Sequence, residues 1–409
     1  MRHVHGRARR AGAALAAVLT WAGLLAGAAG CDTDPTGVIG ADGALGRAPD
    51  PEDVIRISPD DGSKDVRPGR ALGVLVTDGR LESVRVVKSQ DAQETLVPGR
   101  LSSDRRRWEP TEQLALAAKY TVDAVAVDGD GRRSARHTTF TTFVPAERFI
   151  GYVTPENRST VGTGMIVSLT FSRKIDDRAA VERAVSVTAQ PAVEIRPHWF
   201  GKDRLDFRPE QYWKPGTKVT VGLRLRDVEG ARGVYGLQYR TVSFTVGRSQ
   251  VSLVDAAKHT MQVRRDGSLV ATVPITAGAP KTTTYNGKMV VMDMLEVTRM
   301  NSRTVGFGGE YDIPDVPHAM QLTDSGTFLH GNYWAPEAPG HTNVSHGCVG
   351  LRDVKGGASD TPAGWFFDRS LIGDVIEVVH SDDKKVAPDN GLGGWNMGWK
   401  QWKAGSADK

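Results

Sequence analysis

Residues 327–352 read TFLHGNYWAPEAPGHTNVSHGCVGLR and gather His330, His341, His346 and Cys348. These are three of the chain's ten histidines and one of its two cysteines. A thiol among imidazoles admits three chemistries. In the first, an imidazole assists ionisation of the thiol, and the thiolate attacks a carbonyl. Such a base needs a third group to fix its tautomer. Glycines beside the nucleophile let backbone N–H groups approach a developing oxyanion, and Ser345-His346-Gly347-Cys348-Val349-Gly350 supplies them. In the second, Cys and His bind zinc, but His346-x-Cys348 is an awkward ligand spacing and the chain has no H-E-x-x-H pattern. In the third, the cysteine is simply buried and the histidines satisfy hydrogen bonds. Flanking glycines and clustered histidines favour the nucleophile.

A reactive thiol needs elements to hold it and a compartment to work in. Residues 1–10 carry four Arg, and an apolar, Ala/Gly-rich run follows from residue 11 to 29. That pattern reads as an export signal over 1–30, with an uncleaved membrane anchor as the alternative. Residues 31–51 are polar and rich in Gly, Pro and Asp, as a flexible tether is. Residues 52–147 show alternating segments at 83–87 and 120–127, punctuated by Asp128-Gly129-Asp130-Gly131, with a short helical stretch at 111–118. The next segment, 148–249, repeats the first. Trp108-Glu109-Pro110 answers Phe207-Arg208-Pro209, and Lys119-Tyr120-Thr121-Val122 answers Lys218-Val219-Thr220-Val221, each at a spacing of 99 residues. Two such modules have the size of immunoglobulin-like sandwiches, and neither holds a Cys pair.

The third segment, 250–380, opens as a β-meander: 251–254, 260–263 and 268–273, with Arg265-Asp266-Gly267 as a turn. Further strands are expected at 289–294, 327–330 and 374–379, and a helix at 363–369. Gly- and Pro-rich loops between them are where catalytic residues tend to sit. Residues 381–409 are Trp-rich, and Trp395, Trp399 and Trp402 are expected to pack this tail onto the domains rather than to stack on glycan. Trp334 is better placed to line a cleft beside His330.

Whole-chain composition limits the alternatives. With 409 residues, 39% hydrophobic and 24% charged, the chain supports several packed cores. Two cysteines cannot build a disulfide framework. A net charge of +4 is too mild to argue for nucleic acid.

His330 followed downstream by S-H-G-C resembles the signature of L,D-transpeptidases with a YkuD-type catalytic domain. The two β modules, Gln211-Tyr212-Trp213-Lys214-Pro215-Gly216-Thr217 and the tail from Gly391 through Trp402 resemble the mycobacterial members. The resemblance implies a mainly β fold: two immunoglobulin-like sandwiches, a YkuD-type domain and a C-terminal extension. It implies Cys348 as nucleophile, His330 as base, the Gly331 carbonyl as its orienting group, and His346 shaping the site. Tyr311 would reach the oxyanion from a substrate lid, and Ser325-Gly326 would lie on a strand edge of the cleft. Trp334, Ser345, Gly347 and Gly350 complete the expected substrate contacts. Gly350 departs from the family's usual Asn or Arg. The family substrates would be donor and acceptor stems of peptidoglycan, joined 3→3 through a thioester, with carbapenems as covalent inhibitors and with no cofactor or metal. Some relatives bind calcium in the second module, but Arg232 replaces an acid in this chain's equivalent loop. Ala28-Ala29-Gly30-Cys31 resembles a bacterial lipobox, which would anchor the protein to the outer face of the membrane through Cys31. An L,D-carboxypeptidase with water as acceptor, and a non-catalytic wall-binding lipoprotein, stay open as alternatives.

Overall fold

A computed structural model describes residues 51–67, 72–305 and 308–408. The expected signal over 1–30 and the expected tether up to residue 50, with Cys31, lie outside the described residues.

The first module is two four-stranded sheets face to face. One runs in the order Ile55–Ser58, Gly73–Val76, Arg107–Pro110, Gly99–Leu101. The other runs Gln93–Leu96, Arg80–Gln90, Lys119–Val127, Arg133–Thr141. Lys119–Val127 shows how sequence makes this layer: Tyr120, Val122, Ala124 and Ala126 point inward and alternate with more exposed residues. Tyr120 stacks on Phe140 at 5.1 Å within that core. The second module repeats the plan, with Gly151–Thr154, Val167–Phe171, Arg204–Pro209 and Ile195–Phe200 in one sheet. The repeated segments occupy equivalent strands: Trp108 and Phe207 are both buried on the third strand of their sheets. The expected helix at 111–118 does not form. Leu114, Leu116 and Ala118 are instead buried by an irregular loop, and the Ala115 and Leu116 N–H groups bond the Tyr120 hydroxyl and Asp227.

The third domain is built on one nine-stranded sheet. Its strands are β1 (Gln250–Asp255), β2 (Thr260–Arg265), β3 (Ser268–Thr276), β4 (Gly287–Val290), β5 (Asp293–Asn301), β6 (Asp312–Gln321), β7 (Phe328–Asn332), β8 (Val349–Arg352) and β9 (Val375–Val379). Their spatial order is β4-β9-β1-β2-β3-β8-β7-β6-β5. The expected strand at 289–294 is broken at 291–292, so that β4 pairs with β9 while β5 pairs with β6 at the opposite edge. β7 and β8 are parallel neighbours near the middle, and most of their residues are buried. Strands buried on both faces are rigid supports for side chains that must not wander.

The second module and the third domain meet backbone to backbone. Gly162 N–H donates to Ile372 O at 2.7 Å and Gly164 N–H to Gly373 O at 2.9 Å. A Cβ on Gly162 would fall 2.3 Å from the Asp374 nitrogen, so only glycine permits this approach. The tail then returns across the joint. Trp395 Nε1 donates to Gly164 O, and Trp402 Nε1 donates to Arg196 O. Trp395 and Trp402 belong to the second module's core cluster, as the packing expectation for this tail required.

Candidate active site

The chain leaves β7 after Asn332, makes a long loop, and re-enters the sheet at Val349 beside the strand it left. The parallel register sets His330 opposite Gly350, and Cys348 immediately precedes β8. The loop is bolted to β3. Asn343 Oδ1 accepts from Ala277 N–H at 2.8 Å, and its amide donates to Ala256 O at 2.9 Å. Thr276 Oγ1 donates to Thr342 O at 2.7 Å and accepts from Val344 N–H at 3.1 Å. Ser345 closes the last turn: its hydroxyl donates to Cys348 O at 2.6 Å and accepts from Gly347 N–H at 3.2 Å. Gly347 has φ of 104°, a conformation that favours glycine and turns the chain into Cys348.

Cys348 is 7% exposed and is the one free cysteine among the described residues. Its thiol faces the Gly326 carbonyl at 3.8 Å. Burial pushes it up to about 11, against a smaller opposing contribution from the Phe328 N–H. His330 is buried, and burial holds its imidazole below the usual histidine range. His330 Nδ1 lies 2.9 Å from Gly331 O. A carbonyl only accepts, so Nδ1 carries the proton and Nε2 keeps its lone pair for the cavity. Trp334 stacks on the imidazole at 5.4 Å and 21°.

Cys348, His330, Trp334, Ser345, His346, Gly350 and Tyr311 line one cavity of about 210 Å³, together with Thr276, Met300, Ile313, Asn332 and Val344. Burial, and then the charge Cys348 would carry, raise the Tyr311 hydroxyl to about 12, so it is a donor at neutral pH. Its ring lies 4.9 Å from that of His346, whose Nε2 meets Glu310 at 2.9 Å.

The structure separates some residues that the sequence placed together. His341 is exposed and does not line the cavity, so the cluster of three histidines reduces to two at the site. Ser325 and Gly326 lie in the turn between β6 and β7, not on a strand edge. Ser325 is held there by Asn390, which accepts from its N–H at 3.0 Å and donates to its hydroxyl at 2.9 Å. Of these two, Gly326 reaches the thiol, through its carbonyl. In the second module, Asp227 pairs with Arg148 at 3.0 Å and accepts from Leu116 N–H. Among the described residues, no group of three or more His, Cys, Asp or Glu is arranged to hold a metal ion. Sequence reasoning missed Asn332, although its place two residues past His330 puts it on the same strand face. It also missed the anchors Thr276 and Asn343, whose signal is long-range.

Comparison with known proteins fits this arrangement. The model of the L,D-transpeptidase catalytic domain (YkuD) matches residues 249–378, and that of a bacterial Ig domain matches 63–229. L,D-transpeptidase 2 of Mycobacterium tuberculosis (strain CDC 1551 / Oshkosh) is 35% identical over 352 residues, 85% of this chain and 83% of that protein. L,D-transpeptidase 5 of Mycobacterium tuberculosis (strain ATCC 25618 / H37Rv) is 29% identical over 368 residues, 88% of this chain and 78% of that protein. The solved LD transpeptidase LdtMt1 in complex with imipenem is 29% identical, covers 57% of this chain and 100% of its own, and has a TM-score of 0.48. The chain belongs to the L,D-transpeptidase family, with immunoglobulin-like modules preceding a YkuD catalytic domain.

Proposed function

We propose that this protein forms 3→3 cross-links in peptidoglycan by acyl transfer through a thioester on Cys348. One observation carries the reading: a buried thiol at the head of β8 and an imidazole of fixed tautomer on the adjacent β7 line the same small cavity. His330 Nε2 takes the thiol proton as Cys348 Sγ attacks the carbonyl between the donor's diamino acid and its terminal D-Ala. The bond to D-Ala breaks, and the departing amine takes that proton from His330. The thioester remains. A side-chain amine of a second stem then attacks it, His330 accepts the amine proton, and the thiol is restored. Gly347 N–H is already donated to Ser345, so the Cys348 N–H and the Tyr311 hydroxyl are the oxyanion donors in this scheme. A preorganised donor of this kind is worth about 3–4 kcal/mol. The same thiol, opening a β-lactam ring, would give a covalent carbapenem adduct.

Purified tetrapeptide muropeptides test the reading. Mass analysis is expected to show dimers that have lost one D-Ala, and Cys348→Ala is expected to yield neither dimers nor carbapenem adducts. Trimmed tripeptides alone would make water the acceptor. Adducts persisting on the variant would remove Cys348 as nucleophile. In this reading 52–147 and 148–249 are spacers that lift the catalytic segment 250–380 into the wall, and 381–409 straps it to them. Cys31 would carry the lipid, so Cys31→Ser is expected to move the protein from the membrane to the soluble fraction on cell fractionation. A variant still in the membrane would favour an uncleaved anchor.

A further inference from the structure

A buried carboxylate stands directly behind the residue that orients the base. Asp353 follows β8, and its side chain is wholly buried. Its two oxygens do different work. Oδ1 accepts from Val354 N–H at 2.8 Å, Ala358 N–H at 3.3 Å and the Thr361 hydroxyl at 2.9 Å, which organises the loop leading to the helix Pro362–Phe367. Oδ2 meets His318 Nδ1 at 2.7 Å. The same Oδ2 rests against Gly331, where an added Cβ would fall 2.2 Å from it. Gly331 is the residue whose carbonyl holds His330, so its glycine identity follows from the carboxylate packed on it.

His318 sits where the β5–β6 hairpin parts from the sheet. Past it, Met320 and Gln321 pair with β7 at Leu329 and Phe328. Before it, β6 pairs only with β5, and the chain runs out toward Ile313 and Tyr311 at the cavity. His318 has φ of 49°, which non-glycine residues rarely adopt, and it is confined by Phe367 at 5.1 Å and by the Gly357 backbone. Strain of this kind persists only where the surroundings over-determine it.

We infer that Asp353 and His318 are positioning residues for the acyl transfer: one carboxylate oxygen packs on Gly331, whose carbonyl orients His330, and also ties that residue to the strand that Tyr311 leads into. Base and oxyanion donor are then set by one oxygen, though neither Asp353 nor His318 reaches the cavity. The inference rests on the acyl-transfer reading of Cys348 and His330.

The test uses the full chain with Asp353→Asn, which keeps the shape against Gly331 but not the charge, and His318→Phe, which keeps a ring beside Phe367. Three measurements are compared with wild type: acylation of Cys348 by imipenem, alkylation of Cys348 by iodoacetamide, and the ¹⁵N signal of the His330 Nδ1–H. Imipenem acylation is expected to fall about tenfold to a hundredfold, as misplacement on the ångström scale does. Iodoacetamide alkylation, which needs the base but no oxyanion donor, is expected to fall less than acylation, and the Nδ1–H signal to shift or broaden. His318→Gln, which keeps a donor for Oδ2, is expected to recover most of the imipenem rate. Wild-type acylation together with a wild-type His330 signal in Asp353→Asn and His318→Phe would overturn the inference, as would loss of both alkylation and acylation in parallel. If Asp353→Asn fails to fold, His318→Phe decides alone. If the wild-type protein forms no imipenem adduct, the acyl-transfer reading fails instead, and the His330 signal still decides the positioning role.

Discussion

In the proposed acyl transfer, burial sets the protonation of both reacting groups before a substrate arrives. The Cys348 thiol is pushed up to about 11 and the His330 imidazole is held below its usual range, so at neutral pH both are uncharged. The sequence, showing Cys and His side by side, invited a ready thiolate beside an imidazolium. It contained no account of burial, which is a property of β7 and β8 lying in mid-sheet. A neutral pair acts by general-base transfer at the moment of attack. The consequence for pH has a definite sign. His330 works only when deprotonated, and its folded-state pKa lies below 6.5, so acylation is lost as pH falls through that lower value and is full above it. Stopped-flow imipenem acylation is therefore expected to show an acid limb with an apparent pKa below 6.5 and a plateau through neutrality. A rate that instead climbs tenfold per pH unit between 6.5 and 8.5, tracking thiolate, would contradict a neutral resting pair. The residues to which the proposal gives the chemistry were legible because Cys348, His330 and Gly331 are local in sequence. Asp353 and Asn343 were not, because each acts through partners more than twenty residues away.

At the scale of elements, the site depends on β3, β8 and β7 lying side by side, and Gly350 is where that fit is tightest. It pairs with Thr276 on one side and His330 on the other. A Cβ added there would stand 2.8 Å from Thr276 Cγ2 and 3.4 Å from Asn332 Cβ. Thr276 cannot turn aside without giving up its bonds to Thr342 and Val344, which hold the loop bearing Cys348. Asn332 is likewise committed, to both backbone groups of Ala335. The unusual glycine thus marks space already filled from two neighbouring strands. Gly350→Asn is expected to cost about 1–3 kcal/mol by overpacking, read from denaturant midpoints, and to slow acylation through the displaced loop. Thr276→Ser, which removes Cγ2 but keeps the hydroxyl, is expected to restore part of both in the double variant. No loss in Gly350→Asn would show that the strands have slack. Local alternation was enough to read β1 to β3 and β9. It was not enough for residues 289–294, where one apolar run serves two strands at opposite edges of the sheet, nor for the buried loop at 111–118, whose Leu and Ala spacing imitates a helix turn.

At the scale of the molecule, the second module and the catalytic domain share a core rather than a linker. Val290, Leu392, Trp395 and Trp402 join the buried cluster of the second sandwich. Around them lie polar groups whose partners come from the other side of the joint. Arg248 pairs with buried Asp374, and Arg204 donates to Asp389 O and Gly391 O. Buried Glu182 accepts from Trp199 in its own module, and from Ser406 and Ala407 of the tail. Arg208 is 2% exposed, lies within 4.5–5.3 Å of the ring centres of Trp395, Trp399 and Trp402, and is lowered to about 10 by burial. Trp402 is the keystone of this set. It is wholly buried, stacks on His198 at 4.8 Å, donates to Arg196 O, and its own carbonyl meets His198 Nδ1 at 2.8 Å. Trp402→Ala removes the ring and leaves Arg208 short of a face, at a cost of about 3–5 kcal/mol. Because the core is common to both domains, that loss is not confined to the tail. Calorimetry is expected to show the second module and the catalytic domain melting together at a lower temperature, with imipenem acylation lost over the same interval. An acylation-competent catalytic domain that outlasts a separate, earlier transition of the module would show that the two are joined by contact but not by cooperativity.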